Sequence, residues 1–310
     1  MAQAAHEIPA LFHGATVEPE EARSILRPQK DPVYGFGYTL NPYRGCSHGC
    51  RYCYVRQYPA QVPGAPKGVL HGTEDWGQWI APKVNAPELL WRERHKLHEQ
   101  SVFMASATDP YQPLERDLRL TRQCLEVLLR CPTTRVIVHT RSALILQDLG
   151  LLQAFGDRLS VGFSIPTDDD TVRQVTEPQA PPIPTRWSTV ERLAKAGIRV
   201  GISAAPLMPV LDAQAFARRA KASGASSAWA GGVRLLPQDP FYELLRAQGW
   251  LHILDPGYAE GVRQAFAAHF PRPKGRGARI EAMRRETVRL PKRSAEVQPA
   301  LFDLASGRAS

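Results

Sequence analysis

Short apolar segments alternate with helix-like patterns along the chain from Gly35 onward. The candidate strands are Tyr38–Asn41, Ser101–Ala105, Arg135–His139, Leu159–Ile165, Ile198–Ala204 and Gly232–Leu236. Apolar positions three or four residues apart predict helices at Leu118–Arg130, Ala143–Phe155, Arg186–Ala196, Ala213–Ser223 and Pro240–Gln248. Strands that alternate with helices predict an α/β fold with a parallel sheet and right-handed crossovers. About six such units favour a barrel or partial barrel over an open doubly wound sheet, which is the alternative.

The pattern also predicts how the chain is organised. Residues 1–30 lack periodicity and are predicted to form an extended lead-in, 31–270 the α/β domain, and 271–310 a basic end. Within the basic end we expect one helix, Ala278–Val288, followed by a mobile tail. Thr176–Trp187 is rich in proline and is predicted to be a loop between the fourth strand and its helix.

Composition narrows the class of protein. Of 310 residues, 43% are hydrophobic and 22% are charged, which is enough to bury a core. The sequence has no run of about eighteen apolar residues, so no membrane span is expected. The first residues lack the pattern of a secretory signal, and the five cysteines are an odd number. We therefore expect a reducing cytoplasmic location.

Positive charge is concentrated at the end of the chain. The net charge is +9, and the residues from Arg272 onward contribute +6 of it, from ten Lys and Arg against four Asp and Glu. Excess positive charge favours polyanions such as nucleic acid. A solubilising tail is the alternative.

The informative motif is a group of three cysteines after the first predicted strand. Cys46, Cys50 and Cys53 are spaced C-x3-C-x2-C, and the neighbouring glycines Gly45 and Gly49 allow a short loop to curl. Each iron of a four-iron cluster takes one protein ligand, so three thiolates leave one iron open. An open position on a metal is where a small molecule binds. The spacing therefore predicts a 4Fe–4S cluster with one differentiated iron.

A zinc site is the alternative, with His48 as the fourth ligand. Cys3His zinc sites usually have two ligand pairs separated by a longer loop. Here all four candidates lie within eight residues, so we favour the cluster.

The motif CSHGCRYCY resembles the radical S-adenosylmethionine (SAM) superfamily, whose signature is C-x3-C-x-aromatic-C, with Tyr52 at the aromatic position. The longer segments TLNPYRGCSHGCRYCYVR, SATDPYQPLE, HTRSALILQDLGLL and AGIRVGISAAPLMPVLD resemble the subgroup related to spore photoproduct lyase, labelled DNA repair photolyase-like. The resemblance covers roughly Arg23 to Leu254. It implies a partial (β/α)6 barrel in which SAM chelates the open iron. One-electron reduction by an external reductant then yields methionine and a 5′-deoxyadenosyl radical that abstracts hydrogen from a substrate.

The resemblance also assigns roles to individual residues. Cys46, Cys50 and Cys53 ligate the cluster, and Tyr52 flanks the adenine. The expected contacts of the methionyl amine are Ser106, Thr108 and Asp109, although the superfamily's usual Gly-Gly-Glu is absent there. Arg141 is expected to pair with the carboxylate, and Ser164 to hold the ribose. The alternatives are that Asp109 starts a turn before Pro110 and that Arg141 and Ser164 are helix-capping or surface residues.

One departure concerns the reaction. Spore photoproduct lyases place a hydrogen-donating cysteine at the end of the second strand, where this chain has Ser106 and Ala107. Cys124 and Cys131 fall on or after the following helix and are predicted to be buried packing thiols.

The expected activity is lyase or other radical chemistry on nucleic acid. The alternative is a nucleic-acid-binding protein with a structural cluster, to which Tyr52, Tyr54 and Tyr58 would contribute.

A short motif lies in the basic tail. Gln298, Leu301 and Phe302 resemble the Gln-x-x-Leu-Phe peptides that bind the bacterial sliding clamp, in which two apolar anchors enter a preformed groove. We therefore list the clamp as a candidate partner.

Overall fold

The structure is a computed structural model that describes residues 8–31, 35–57, 75–235 and 239–271. The strands are β1 (Leu11–Phe12), β2 (Ala15–Val17), β3 (Leu26–Pro28), β4 (Tyr38–Leu40), β5 (Tyr43–Gly45), β6 (Trp79–Pro82), β7 (Ser101–Met104), β8 (Arg135–Thr140), β9 (Leu159–Ser164), β10 (Arg199–Ala204) and β11 (Ser227–Ala230). The α-helices are α1 (Ala86–Glu93), α2 (Glu115–Leu118), α3 (Leu120–Leu129), α4 (Leu149–Ala154), α5 (Asp170–Thr176), α6 (Ile183–Lys195), α7 (Ala213–Ala222), α8 (Pro240–Ala247) and α9 (Pro256–His269). Short 3-10 helices lie at Tyr54–Gln57, Arg94–Leu97, Ala143–Asp148, Gly156–Arg158 and Leu251–Leu254.

The larger sheet has the strand order β11-β10-β9-β8-β7-β4-β3. Its first six strands are parallel, and β3 pairs antiparallel with β4 at the edge. At least one helix follows each parallel strand before the next begins, which gives six β/α units. The edge strands β3 and β11 are not paired with each other in the described part of the chain. The predicted α/β fold is confirmed, and the arrangement matches an open, partial barrel.

The two faces of this sheet differ in burial. On one face Leu40, Met104, Val138 and Val161 lie side by side in register and are fully covered in the main core. The alternate residues of the same strands, among them Phe103, His139 and Gly162, are only half-buried. We call the second face the inner face. Period-two alternation along β8 thus separates a helix-covered face from one that remains accessible.

The smaller sheet was not predicted. Its order is β1-β2-β6-β5, and it includes two strands from the lead-in 1–30. The third strand of the lead-in, β3, joins the larger sheet. These strands are only two or three residues long, too short for periodicity to reveal. The predicted boundaries at 30 and 270 are not tested by the structure.

Three of the predicted elements need correction. The sixth parallel strand is Ser227–Ala230, not Gly232–Leu236, since Gly231 and Gly232 follow its end. The helix predicted over Leu118–Arg130 is divided at Arg119, whose φ is 55°. The helix predicted over Ala143–Phe155 begins as a 3-10 helix and becomes α-helical only at Leu149.

The loop within the proline-rich segment Thr176–Trp187 is shorter than predicted. α5 was missed and ends at Thr176, and α6 begins at Ile183, so only residues 177–182 connect them. Pro184 is in the first turn of α6, where a missing N–H costs nothing.

No helix within the described ranges is long and apolar enough to span a membrane. The predicted helix Ala278–Val288 and the motif residues Gln298, Leu301 and Phe302 lie outside the described residues.

Candidate active site

The cysteine loop begins where β5 ends. Gly45 has φ 72° and Gly49 has φ 54°, values that glycine adopts without strain. A Cβ on Gly45 would lie 2.4 Å from the carbonyl oxygen of Trp79, because β5 pairs with β6 at this point. The two glycines therefore permit the curled loop that their positions in the sequence predict.

Three contacts hold the loop in place. The Ser47 amide donates to the Gln112 side chain at 3.0 Å, and the Arg51 amide donates to the carbonyl of Thr176 at 2.9 Å. After the last cysteine, Arg56 and Asp239 form a buried ion pair that joins the loop to the N-terminus of α8. Parts of the chain far apart in sequence thus fix the backbone around the cysteines.

Cys46, Cys50 and Cys53 all line one cavity at the carboxyl ends of β7, β8 and β9. Burial raises the pKa of each of these thiols to about 12. Without a metal they are therefore neutral thiols at ordinary pH. A bound metal deprotonates its thiol ligands, so three convergent thiols in one cavity fit a cluster chemically.

The zinc interpretation needs His48 as a ligand, and the Nε2 of His48 instead lies 3.5 Å from a carboxylate oxygen of Asp109. Within the described ranges, no three His, Cys, Asp or Glu side chains, Cys46, Cys50 and Cys53 included, are arranged around a single metal ion. A 4Fe–4S cluster takes its three thiolates on three different irons, so this finding concerns a single zinc ion and not the cluster.

Asp109 is a structural clamp at the cavity wall. Its carboxylate accepts hydrogen bonds from the Tyr111 amide at 2.9 Å, the Thr140 hydroxyl at 2.6 Å and the Arg141 amide at 2.9 Å. Burial opposes the charged form, but these bonds and His48 outweigh it and hold the pKa of Asp109 well below its usual range. The bond to Tyr111 is the turn that the alternative interpretation anticipated. Asp109 also lines the cavity, so its predicted contact with the cofactor stays a prediction.

Ser106 and Thr108 line the same cavity, and both form hydrogen bonds with the segment that leads into the cysteine loop. The Thr108 hydroxyl donates to the carbonyl of Gly45 at 2.6 Å, and Ser106 Oγ accepts from Asn41 at 3.3 Å. Tyr54, which sequence reasoning had placed only in a nucleic-acid surface, donates its hydroxyl proton to the carbonyl of Ser106.

A buried network underlies the cavity and centres on Glu177. This carboxylate is 0% exposed and accepts from the Tyr52 hydroxyl, and it pairs with Arg141 and with Arg186. The Arg186 pair is 2.5 Å long, and Arg141 also donates to the Tyr52 hydroxyl at 2.8 Å. Two guanidinium groups thus face one carboxylate, and the ionised Asp109 at the cavity wall also acts on Arg141. Arg141 lines the cavity and presents its positive charge there.

Ser164 lies at the end of β9 with an unsatisfied side chain. Its carbonyl accepts from Arg186 at 3.3 Å, but within the described residues its buried hydroxyl has no hydrogen-bond partner. The residue lines the cavity, so a ligand hydroxyl there would satisfy it.

The structure brings all nine predicted site residues to one cavity, counting the three cysteines. Cys124 and Cys131 lie elsewhere, in the main core, as predicted. Sequence reasoning missed Glu177 and His139. Glu177 was inside the supposed proline-rich loop, and His139 is the next-to-last residue of β8, at the strand end where parallel sheets carry their sites.

Comparison with known proteins agrees with this geometry. The family model described as the Radical SAM superfamily matches residues 40–221, more than half of the chain. The chain belongs to the Radical SAM superfamily. Membership makes it a radical SAM enzyme, and the superfamily implies a 4Fe–4S cluster and SAM as cofactors.

Two relatives share sequence with this radical SAM protein. It is 29% identical over 191 residues to an uncharacterized protein of Methanocaldococcus jannaschii, covering 62% of this chain and 67% of that one. It is 30% identical over 174 residues to an uncharacterized protein of Acidianus two-tailed virus, covering 56% of each. The chain thus spans little more than half the length of the viral relative.

Solved structures share the fold. A mutant of spore photoproduct lyase superposes with a TM-score of 0.60 at 14% identity, covering 86% of this chain and 85% of that one. A second mutant, with bound AdoMet and dinucleoside spore photoproduct, gives the same score and coverage. At this identity the likeness concerns the fold alone.

Proposed function

We propose that this chain cleaves SAM reductively at a 4Fe–4S cluster held by Cys46, Cys50 and Cys53 and abstracts hydrogen from a nucleic-acid substrate. The observation that carries the proposal is the convergence of the three cysteines on one cavity at the carboxyl ends of parallel strands. When bound, the cluster and SAM would supply a 5′-deoxyadenosyl radical, given one electron from an external reductant. The protein supplies binding, orientation and exclusion of water.

The chain's own residues divide this work. The Gly45 and Gly49 turns direct the cysteines into the cavity, and Arg56 holds the far end of the loop. Arg141, fixed by Glu177, presents positive charge at the cavity wall, where the SAM carboxylate would lie. The unsatisfied Ser164 hydroxyl is suited to a ribose hydroxyl. A site that excludes water would protect a reactive carbon radical from solvent.

Nucleic acid as the substrate class is supported by charge and by fold. The chain carries a net charge of +9, which attracts a polyanion. One solved relative in fold binds, by its title, dinucleoside spore photoproduct. Ser106 and Ala107 stand where the lyases have their hydrogen-donating cysteine, so we propose a reaction other than spore photoproduct reversal.

The test is cofactor cleavage. Anaerobically reconstituted protein treated with dithionite and SAM is expected to form 5′-deoxyadenosine, measured by liquid chromatography. Cys50→Ser is expected to form none, whereas Cys131→Ser, which changes a thiol outside the cavity, is expected to match the wild type. Absence of 5′-deoxyadenosine from wild-type protein with a full cluster would overturn the proposal.

The alternative, a nucleic-acid-binding protein with a structural cluster, is less well supported. It relies on exposed tyrosines: Tyr54 is 39% exposed, but Tyr52 is buried with its hydroxyl bound to Glu177, and Tyr58 is outside the described residues. This alternative predicts salt-sensitive nucleic-acid binding that survives loss of the cluster.

A further inference from the structure

A tryptophan from outside both the parallel strands and the cysteine motif reaches the cofactor cavity. Residues 75–78 form a turn just before β6, in which the Gln78 amide donates to the carbonyl of Asp75 at 2.9 Å. Trp76 lies in this turn, lines the cavity that the three cysteines share, and is half-buried. The turn therefore adds an aromatic side chain to the wall of the cavity.

A close contact between two backbones seats this turn on the cysteine loop. Gly77 has φ 101°, and a Cβ on it would lie 2.7 Å from Cα of Gly49. The neighbouring Trp79 is 4% exposed, and the Trp76 ring packs edge-on against it with 6.3 Å between ring centroids. Because the turn is fixed at both places, Trp76 loses little conformational freedom when a ligand binds.

The aromatic residue of the cysteine motif already has neighbours on its ring. Tyr52 is 8% exposed, and its ring centroid lies 6.0 Å from that of Phe241 with the two rings at 72°. The guanidinium carbon of Arg141 lies 6.0 Å from the centroid of the same tyrosine ring. Tyr52 therefore offers a ligand only part of its ring, and of the two residues Trp76 is the more exposed.

The chemical groups of SAM suit different walls of this cavity. Its carboxylate suits the guanidinium group of Arg141, and a ribose hydroxyl suits the unsatisfied hydroxyl of Ser164. Adenine is a flat, uncharged ring with two π-faces, and a base of this kind stacks on aromatic side chains. The indole of Trp76 is therefore suited to the part of SAM that the polar groups on the strands leave unassigned.

We infer that the indole of Trp76 stacks on the adenine ring of SAM, from the side of the cavity that the cysteine loop forms. The inference rests on the proposed function, in which SAM is the ligand of this cavity. It makes Trp76 a further cofactor-binding residue, contributed by a turn that follows the last cysteine of the motif by more than twenty residues. The contact between Gly49 and Gly77 then places the indole as well as the loop.

Binding of cofactor fragments tests this contact without turnover. Isothermal titration calorimetry on the full-length, anaerobically reconstituted protein measures the Kd of S-adenosylhomocysteine and of 5′-methylthioadenosine, which keeps the adenine and ribose but lacks the amino acid. Trp76→Ala should weaken the binding of both ligands at least about fivefold, the effect of losing one stacked base. The matched control is Trp91→Ala on α1, which removes a tryptophan that is 41% exposed and does not line the cavity, and which should leave both constants unchanged.

Two further variants separate ring stacking from simple packing. Trp76→Phe keeps an aromatic face and should bind both ligands within about threefold of the wild type. Trp76→Leu fills space without a ring and should resemble Trp76→Ala. Iron content and thermal unfolding check that each variant is intact.

Each outcome decides the inference. Unchanged affinities in Trp76→Ala would overturn it, as would a loss confined to S-adenosylhomocysteine, which would place the indole at the amino-acid end of the ligand. Equal affinities of Trp76→Leu and Trp76→Phe, loss of the cluster in all three variants, or no binding of 5′-methylthioadenosine to the wild type would overturn it too.

Formation of 5′-deoxyadenosine by the wild type is scored separately. If it forms while the binding results go against Trp76, the inference alone fails and cofactor cleavage stands. If none forms from wild-type protein with a full cluster, the proposed function fails.

Discussion

Glu177 is the buried counter-charge of two arginines, and its replacement by glutamine is expected to destabilise the protein strongly. Glu177 and Arg186 are 0% exposed, and Arg141 is nearly buried. Glu177→Gln keeps the size of the side chain and removes its charge. Both guanidinium groups are then left without a carboxylate, and breaking a buried ion pair from one side costs about 3–5 kcal/mol.

The expected effect is measurable as a melting temperature. In a chain of this size 1 kcal/mol shifts the midpoint by roughly 2–4 °C, so the loss corresponds to a decrease of about 10 °C. Circular dichroism at 222 nm on anaerobic protein, with and without cluster, gives the midpoint. The matched control is Glu243→Gln, whose partner is Arg246 and whose side chain is 61% exposed. An exposed pair is worth about 0–1 kcal/mol.

A decrease in Glu177→Gln no larger than that in Glu243→Gln would refute the reasoning. It would mean that water or rearrangement compensates the two guanidinium groups, and that the network does not hold Tyr52 and Arg141 in place.

Three further outcomes follow from the site. Gly45→Ala should lower the free energy of unfolding by at least about 1 kcal/mol and reduce cluster incorporation. The reason is that the φ of residue 45 is 72° and the new Cβ would lie 2.4 Å from the carbonyl oxygen of Trp79. Denaturant unfolding and an iron assay measure the two effects. Burial opposes the charged form of Glu177, but the positive charges of Arg186 and Arg141 outweigh burial and hold the pKa of Glu177 below the ordinary 4.5. The wild type should therefore lose stability as pH falls below about 4.5, and Glu177→Gln should lose less over the same range in urea unfolding. Cys50→Ser should abolish the brown cluster absorbance, whereas Cys131→Ser should retain it; equal absorbance in the two would contradict the ligand assignment.

The sequence predicted the parallel sheet because its strands are long enough for period-two alternation to be visible. β8 shows the pattern clearly, with Val136 and Val138 buried and Ile137 and His139 half-buried. β11 escaped prediction because Ser227–Ala230 contains only small residues and one tryptophan. The small sheet escaped because its strands are held by pairing with distant segments, which local pattern does not record.

The part of the candidate site whose residues are close together in the sequence could be predicted. The three cysteines and their glycines occupy nine consecutive positions, 45–53, so spacing alone indicated a shared metal cluster. Glu177 was not predictable in this way, because its role depends on Tyr52, Arg141 and Arg186, which reach it from three other parts of the chain. Asp109 was predicted both as a cofactor contact and as a turn residue, and the structure shows the turn.

The most direct test of the central claim is an electron paramagnetic resonance spectrum of the reconstituted, dithionite-reduced protein, recorded with and without SAM. The account predicts a signal from a reduced 4Fe–4S cluster that changes when SAM is added, because Cys46, Cys50 and Cys53 leave one iron open to it. A cluster signal that SAM leaves unchanged would contradict the account and indicate a structural or electron-carrying cluster.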